Sequence, residues 1–254
     1  KEALKKAELV NHDFLPQNVI GMGVDTTGSS PMLVDDFGLP LCFDEKYKDN
    51  PAGMVWLWKD HTSFEEAAAI TEKAAQIRPE YLAKVGGVYS SEWFWSKLWK
   101  CSKDFPELVD AAGSFMEVCD WIPAVLVDDT NPQNVKRSVC ASGHKAMYSN
   151  DWGGLPDKEF LTELSPQLGK MREKLFELSY PPEEKIGTLS EEWAEKLGLS
   201  TNVAVAVGAF DAHMGAVGAG VNVGTLVKIL GTSTCDIMVW PNKEHLADIP
   251  GVCG

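Results

Sequence analysis

An aspartate stands where the clearest predicted strand of the chain meets a predicted helix. Residues 203–207 read VAVAV, an apolar run that indicates a buried strand, and residues 212–220 are small enough for a closely packed helix. Asp211 lies between them. Ligands of α/β sheets bind beyond the carboxyl ends of strands, and a carboxylate there can accept the proton of a hydroxyl that attacks phosphorus. Asp211 is the candidate catalytic base, and an ordinary helix N-cap is the alternative.

A turn rich in hydroxyl groups is the second candidate. Gly231, Thr232 and Ser233 lie between predicted strands at residues 225–230 and 235–240. Backbone N–H and side-chain hydroxyl groups in such a turn can bind phosphate oxygens. A plain hairpin turn is the alternative, and the absence of a following Gly-Lys-Ser/Thr excludes a Walker A loop.

Two further polar segments have the residue types of a sugar or phosphate site. Thr26 and Thr27 follow a glycine-containing apolar run at residues 19–24, where a capped turn is the alternative. Lys145 ends a Gly-His-Lys sequence and could balance the charge of a phosphoryl group or bind sugar hydroxyls, with a solvated surface lysine as the alternative. No set of His, Cys and carboxylate residues has the spacing of metal ligands, so we predict no metal-binding residues.

One tryptophan differs in context from the others. Trp58 ends an apolar run and precedes Asp60 by two residues, so its ring could stack on a sugar face while the carboxylate binds hydroxyls. Burial of Trp58 in the core is equally compatible with the sequence. Trp95 and Trp99 are one turn apart on a helix predicted over residues 90–100, and we expect both in the core.

These candidates need a scaffold of strands and helices. Apolar strands with intervening helices predict an α/β fold. We also predict helices over residues 1–11 and 62–77 and a hairpin of residues 32–34 with 39–42. The apolar segment 114–127 contains Pro123, which should break any helix there.

Composition excludes several classes of partner. Among 254 residues, 37 are acidic and 23 are Lys or Arg, so the net charge of −14 makes a nucleic acid an unexpected partner. The six cysteines include no Cys-x-x-Cys pair, which indicates reduced thiols and a cytoplasmic protein. The longest apolar stretch is too short for a membrane span, so we expect no membrane partner.

The order of the motifs is more specific than any single one. The motifs are GVDTTGSS (from Gly23), LWKDHT (from Leu57), GGVYSSEWFWSK (from Gly86), CDWIPA (from Cys119), GHK (from Gly143), WGGLP (from Trp152), GAFDAHMGAVGAG (from Gly208) and ILGTSTCDI (from Ile229). In this order they resemble the FGGY family of carbohydrate kinases, and within it the members that phosphorylate L-ribulose. The resemblance covers nearly the whole chain, and the last two motifs are the most specific.

This resemblance implies an actin-like, ribonuclease H-like ATPase fold with two domains around a cleft. Residues 1–220 would be the N-terminal, sugar-binding domain without its first strands, and residues 221–254 would begin the C-terminal, nucleotide-binding domain. The implied reaction transfers the γ-phosphoryl of ATP, with Mg²⁺, to the terminal hydroxyl of L-ribulose. We expect the 254-residue chain alone to be inactive, since the family's first phosphate loop and most of its second domain lie outside it.

The resemblance also assigns roles to the candidates. Asp211 would be the catalytic base and would contact the sugar. Gly231, Thr232 and Ser233 would bind the nucleotide phosphates. The sugar pocket would be lined by Trp58, Asp60, Lys145, Thr26 and Thr27, with Tyr89 and Glu92 as further candidates. A homodimer is a candidate assembly.

Three alternatives remain at this stage. The chain could be a xylulokinase or another FGGY sugar kinase, or a non-catalytic sugar-binding relative. A glycoside hydrolase would need two paired acids, and we find no such pair in the sequence.

Overall fold

A computed structural model describes residues 1–241 and 246–254. These residues form an α/β structure, as the sequence predicted, with eleven α-helices and eleven short strands. The helices are Glu2–Val10 (α1), Phe64–Ile77 (α2), Glu80–Ala83 (α3), Phe94–Asp104 (α4), Pro106–Ala111 (α5), Val118–Val127 (α6), Val139–Ala146 (α7), Lys158–Leu164 (α8), Pro166–Arg172 (α9), Glu191–Leu197 (α10) and Asp211–Gly218 (α11). The strands are Gly21–Met22 (β1), Asp25–Thr26 (β2), Pro31–Val34 (β3), Ser114–Glu117 (β4), Arg137–Ser138 (β5), Ser179–Tyr180 (β6), Lys185–Thr188 (β7), Ala204–Ala206 (β8), Ala209–Phe210 (β9), Leu226–Leu230 (β10) and Thr234–Met238 (β11).

A parallel ladder joins the start of the chain to its later part. β1 pairs with β8, and β2 pairs with β9. Met22 is opposite Val205 and Asp25 is opposite Ala209, so the later segment has one extra residue, as in a β-bulge. Gly208 lies in this extra segment, and an added Cβ would come within 1.8 Å of the Cys119 carbonyl oxygen. A glycine is therefore required where the ladder approaches α6.

Two larger hydrophobic clusters form the interior of the described residues. One lies around β8 and includes the buried side chains of Val203, Val205, Leu126 and Leu189. The other is the main core, built largely from α2, α4, α5, α8 and α9. Trp95 is fully buried there, which confirms the prediction for this residue, whereas Trp99 is only partly buried and packs against the core.

The prediction for Pro123 was wrong. Pro123 lies inside α6, which continues from Val118 to Val127. A proline in a helix interior removes one hydrogen bond and is unfavourable by about 3 kcal/mol. The buried position of α6, with Cys119, Pro123, Ala124 and Leu126 all enclosed, outweighs this local preference.

The predicted early hairpin was also wrong in its pairing. β3 pairs antiparallel with β4, about 80 residues later, from Pro31↔Glu117 to Val34↔Ser114. Its link to the segment 39–42 is reduced to a single bridge between Val34 and Pro40, and Leu41–Phe43 form a 3-10 helix. The long-range pairing buries both strands completely, which a short local hairpin would not do.

The last described elements form a helix and a hairpin. α11 follows β9 directly, and β10 and β11 form an antiparallel hairpin with Leu230 opposite Thr234. The hairpin packs on α11, where a Cβ added at Gly215 would lie 3.2 Å from Ile229 Cδ1. Across residues 1–241 and 246–254, no helix has both the length and the hydropathy that a bilayer crossing requires.

Candidate functional site

The candidate site begins at one edge of the parallel ladder. Thr26 pairs with Phe210 at the end of β2 and β9, so the two strands leave the sheet at Thr27 and Asp211. Asp211 is the first residue of α11, its side chain is exposed, and its Oδ1 accepts a hydrogen bond from the Ala212 N–H at 2.7 Å. The structure therefore brings the Thr26–Thr27 turn and Asp211 to the same edge.

Phe210 connects this edge to Gly28 and to the predicted Lys145. Its ring is buried, and Gly28 packs so closely that an added Cβ would lie 2.1 Å from ring atoms. Lys145 Nζ lies 5.5 Å from the centre of the Phe210 ring and 5.8 Å from that of Trp93. Aromatic faces attract an ammonium group at such distances. Lys145 is thereby held beside the residue that precedes Asp211.

The position of Lys145 depends on a kinked helix and a buried tyrosine. α7 has non-helical backbone angles at Gly143, two residues before Lys145. The hydroxyl of Tyr89 donates a hydrogen bond to the Lys145 carbonyl. Burial lowers the pKa of Lys145, and the carboxylates of Glu117 and Glu92 oppose that effect. In the described part of the chain, Lys145 Nζ has no hydrogen-bond acceptor, so the ammonium is free to bind a ligand.

His144, the neighbour of Lys145, is an uncharged ring at neutral pH. Its ring meets that of Trp93 edge-on, with 5.2 Å between the ring centres. Burial, aided by the positive charge of Lys145, lowers the pKa of His144 to about 3. The positive charge on this face of the site therefore comes from Lys145.

The loop that contains Trp58 and Asp60 is a separate segment with two of the predicted sugar-site residues. Asp60 Oδ1 accepts hydrogen bonds from the Thr62 N–H at 2.8 Å and from Thr62 Oγ1 at 2.6 Å, which fixes the turn before α2. Trp56 packs against the main core, whereas Trp58 is half-buried and belongs to none of the hydrophobic clusters of the described residues. This arrangement leaves the ring of Trp58 available for stacking.

Sequence reasoning missed two buried charged residues that hold these segments. Lys97 is fully buried, and its Nζ donates to the carbonyls of Ser29 at 2.8 Å and of Leu57 at 2.7 Å. Glu117 accepts hydrogen bonds from Ser29 Oγ and, at 2.6 Å, from the Ser30 N–H. A signal was present: Lys97 is one turn after Trp93, on the buried face of α4, where a lysine is unexpected.

Tyr89 and Glu92, the further sugar-side candidates, have different surroundings. Tyr89 is buried, and its hydroxyl also accepts a hydrogen bond from the Trp95 N–H at 3.0 Å, so it orients Lys145 rather than facing a ligand. Glu92 is half-buried, and its Oε1 lies 3.4 Å from Nε2 of the exposed ring of His61. A polar ligand can still reach Glu92.

The predicted phosphate turn lies at the tip of the β10–β11 hairpin. Gly231, Thr232 and Ser233 are exposed, and the Gly231 N–H donates to the Ser233 carbonyl at 2.9 Å. α11 begins with Asp211 and packs against the strands of this hairpin. Across residues 1–241 and 246–254, no group of three or more His, Cys, Asp or Glu residues could hold a metal ion.

Comparisons with known proteins agree with the motifs. The family model for the FGGY family of carbohydrate kinases, N-terminal domain, matches residues 2–218. A ribulokinase from Vibrio parahaemolyticus is 46% identical over 243 residues, which are 94% of this chain and 43% of the relative. A ribulokinase from Bacillus licheniformis is 37% identical over 241 residues, or 94% and 42% of the two chains. The chain thus spans less than half the length of these relatives.

Solved structures share the fold at low sequence identity. A xylulose kinase from Bifidobacterium adolescentis has a TM-score of 0.65 at 16% identity, over 86% of this chain and 46% of that one. Glycerol kinase from Plasmodium falciparum has a TM-score of 0.62 at 14% identity, over 91% and 42%. At these identities the likeness extends to the fold alone.

Proposed function

Because this chain belongs to the FGGY family of carbohydrate kinases, we propose that the complete protein transfers the γ-phosphoryl group of ATP to the terminal primary hydroxyl of L-ribulose. One observation carries the proposal: a carboxylate, Asp211, lies at the same strand edge as a pair of threonines, and the ammonium of Lys145 lies 5.5 Å from the ring centre of Phe210, the residue before Asp211. This set has an acid-base group, neutral hydroxyl ligands and a positive charge, which are the groups that phosphoryl transfer to a sugar requires.

The sugar pocket in this proposal has two walls. Thr26, Thr27 and Asp211 form the wall at the ladder edge, and the Trp58–Asp60 loop forms the other. The indole ring of Trp58 stacks on a carbon face of the sugar, and Asp60 accepts hydrogen bonds from its hydroxyls. Lys145 donates to a sugar oxygen near the reacting end.

The reaction proceeds in one displacement without a covalent enzyme intermediate. The terminal hydroxyl oxygen of the sugar attacks the γ-phosphorus, and a new P–O bond forms as the bond between that phosphorus and the β–γ bridging oxygen breaks. Asp211 orients the hydroxyl and accepts its proton, and ADP leaves with the bonding electrons. Lys145 balances part of the negative charge that spreads over the transferred group.

ATP, the phosphoryl donor, binds at the exposed turn of the β10–β11 hairpin in this proposal. Gly231, Thr232 and Ser233 offer N–H and hydroxyl groups to the phosphates of ATP. Mg²⁺ commonly accompanies ATP and binds through the phosphates and one or two carboxylates. In this proposal the ion would be bound mainly through the phosphates of ATP.

The choice of L-ribulose rests on the ribulokinase relatives, since they are 46% and 37% identical to this chain. The finer description of the fold as actin-like, the domain division at residues 220 and 221, the cytoplasmic location and the homodimer belong to the same proposal. A family match that ends at residue 218 supports the division. Xylulose phosphorylation is the second candidate, but the xylulose kinase structures are too distant in sequence to favour it.

The test is a direct assay of the complete protein. Purified protein is incubated with ATP, Mg²⁺ and each of L-ribulose, D-ribulose and D-xylulose, and ADP release and the phosphorylated carbon are measured. The proposal expects the highest kcat/KM for L-ribulose, with phosphate on the terminal hydroxyl. Preference for D-xylulose would support the second candidate, and binding of sugar without ADP release would indicate a non-catalytic relative.

A further inference from the structure

Lys97 has a charged ammonium group in the protein interior, where an isolated charge is energetically unfavourable. Its side chain is fully enclosed in the protein, on the core-facing side of α4. A buried ammonium group destabilises a fold unless hydrogen-bond acceptors surround it. In the part of the chain that the structure describes, no carboxylate lies within 4 Å of Lys97 Nζ, and its two acceptors are backbone carbonyls. The charge therefore does not serve an ordinary ion pair.

The two acceptors belong to two different loops of the proposed sugar pocket. Ser29 lies two residues after Thr27, in the segment that follows β2, and its carbonyl is 2.8 Å from Lys97 Nζ. Leu57 directly precedes Trp58, and its carbonyl is 2.7 Å from the same nitrogen. A single side chain from the core thus hydrogen-bonds to both walls of the pocket.

Glu117 holds the first of these loops from another side. Its carboxylate accepts hydrogen bonds from the Ser29 hydroxyl and, at 2.6 Å, from the Ser30 N–H. Ser29 is therefore bound twice, by its carbonyl to Lys97 and by its hydroxyl to Glu117. Glu117 ends β4, whose pairing with β3 anchors the same segment at Pro31.

The charges of the two residues support each other. Burial raises the pKa of Glu117 and lowers that of Lys97, and in each case the opposite charge of the partner counteracts the effect of burial. Asp60, on the second loop, adds a further negative charge that favours the ammonium form of Lys97.

We propose that Lys97 is a positioning residue that sets the spacing between the Thr26–Thr27 turn and the Trp58–Asp60 loop, and so shapes the sugar pocket without contacting the sugar. The identity of the ligand rests on the proposed function. The link between the two loops rests only on the contacts described here. Nucleotide binding, which the proposed function assigns to the β10–β11 hairpin, should depend little on Lys97.

The test replaces Lys97 in the complete protein. Lys97→Met removes both hydrogen bonds and keeps a side chain of similar length. We expect the KM for the sugar to rise at least about 10-fold, as for the loss of one charge-assisted hydrogen bond, while the KM for ATP changes less than about threefold. Lys97→Arg should restore part of the sugar affinity, because a guanidinium group can still donate to both carbonyls.

Lys174→Met is the matched control. Lys174 Nζ also donates to a backbone carbonyl, that of Ala112 at 2.6 Å, but it contacts neither pocket loop. This variant loses one lysine-to-carbonyl hydrogen bond of a partly buried side chain, away from the pocket loops, so it should keep the sugar KM of the wild type. An equal rise of the sugar KM in both variants would overturn the proposal.

Amide hydrogen exchange gives a readout that does not require activity. Lys97→Met should accelerate exchange at residues 27–30 and 57–60, and Lys174→Met should not. If the wild type phosphorylates none of the sugars, the proposed function fails while this comparison still decides the link between the loops. Wild-type exchange in both loops of Lys97→Met would overturn the proposal, as would a lower kcat with an unchanged sugar KM.

Should Lys97→Met not fold, Lys97→Arg takes its place. The longer side chain must displace at least one loop, so a raised sugar KM with an unchanged ATP KM is the expected result. A wild-type sugar KM together with wild-type exchange at both loops would contradict the proposal.

Discussion

The ring of Phe210 packs against Gly28 so closely that no side chain fits between them. A Cβ at residue 28 would lie 2.1 Å from the ring, and the ring itself lies beneath Lys145 and directly before Asp211. A change at Gly28 therefore reaches the candidate base and the candidate cation through one buried side chain.

Gly28→Ala should damage both stability and sugar binding. Overpacking of a closed core is unfavourable by about 1–3 kcal/mol, and the displaced ring should also move Lys145. Gly23→Ala is the control in the same segment, because an added Cβ there has no atom within 4 Å. Urea unfolding and sugar KM should change in the first variant only. Equal, small effects in both would show that the ring moves freely.

Asp211→Asn tests the assignment of the base. The amide can still accept a hydrogen bond from the sugar but cannot take its proton, so kcat should fall by about 10²–10⁴ while the sugar KM changes much less. Asp104→Asn, which removes a surface carboxylate paired with Lys100, is the control and should leave kcat unchanged. A near-normal kcat in Asp211→Asn would exclude this residue as the base.

Tyr89→Phe tests whether the tyrosine orients Lys145. Loss of the hydroxyl leaves the Lys145 carbonyl and the Trp95 N–H without this partner, so the free energy of unfolding should fall by about 1–3 kcal/mol. Tyr81→Phe removes another hydroxyl of a buried tyrosine, one that donates to Asp157 at 2.7 Å. Both variants should be less stable, but only Tyr89→Phe should raise the sugar KM. A raised sugar KM in both would indicate a general effect of destabilisation.

His144 should make the protein less stable as the pH falls. Its pKa is about 3 in the folded chain and 6.5 as the ordinary value, so the unfolded state binds a proton first. The stabilisation is fully present above pH 6.5 and is lost between pH 6.5 and 3, by up to about 1.4 kcal/mol per pH unit. Urea unfolding from pH 7.5 to 5 should show a shallower pH dependence for His144→Gln. Parallel curves for the two proteins would contradict the assignment.

The sequence alone determined the local features of this protein. The apolar run before Asp211 and the small residues after it predicted a strand and a helix, and the structure has β8, β9 and α11 there. The spacing of Trp95 and Trp99 predicted a helix that faces the core. Both predictions rest on the period of the apolar residues, which indicates the buried face of an element.

Tertiary structure decided which distant residues meet. The pairing of β3 with β4, the tolerance of Pro123 in α6 and the hydrogen bond from Lys97 to Ser29 all depend on burial and contacts between segments far apart in the chain. Local sequence patterns indicate which face of an element is buried, but not which other element packs against that face. They therefore assigned Thr27 and Trp58 to separate loops without showing that the two loops are linked. Only the packing of α4 between those loops brings one ammonium group within hydrogen-bonding distance of both.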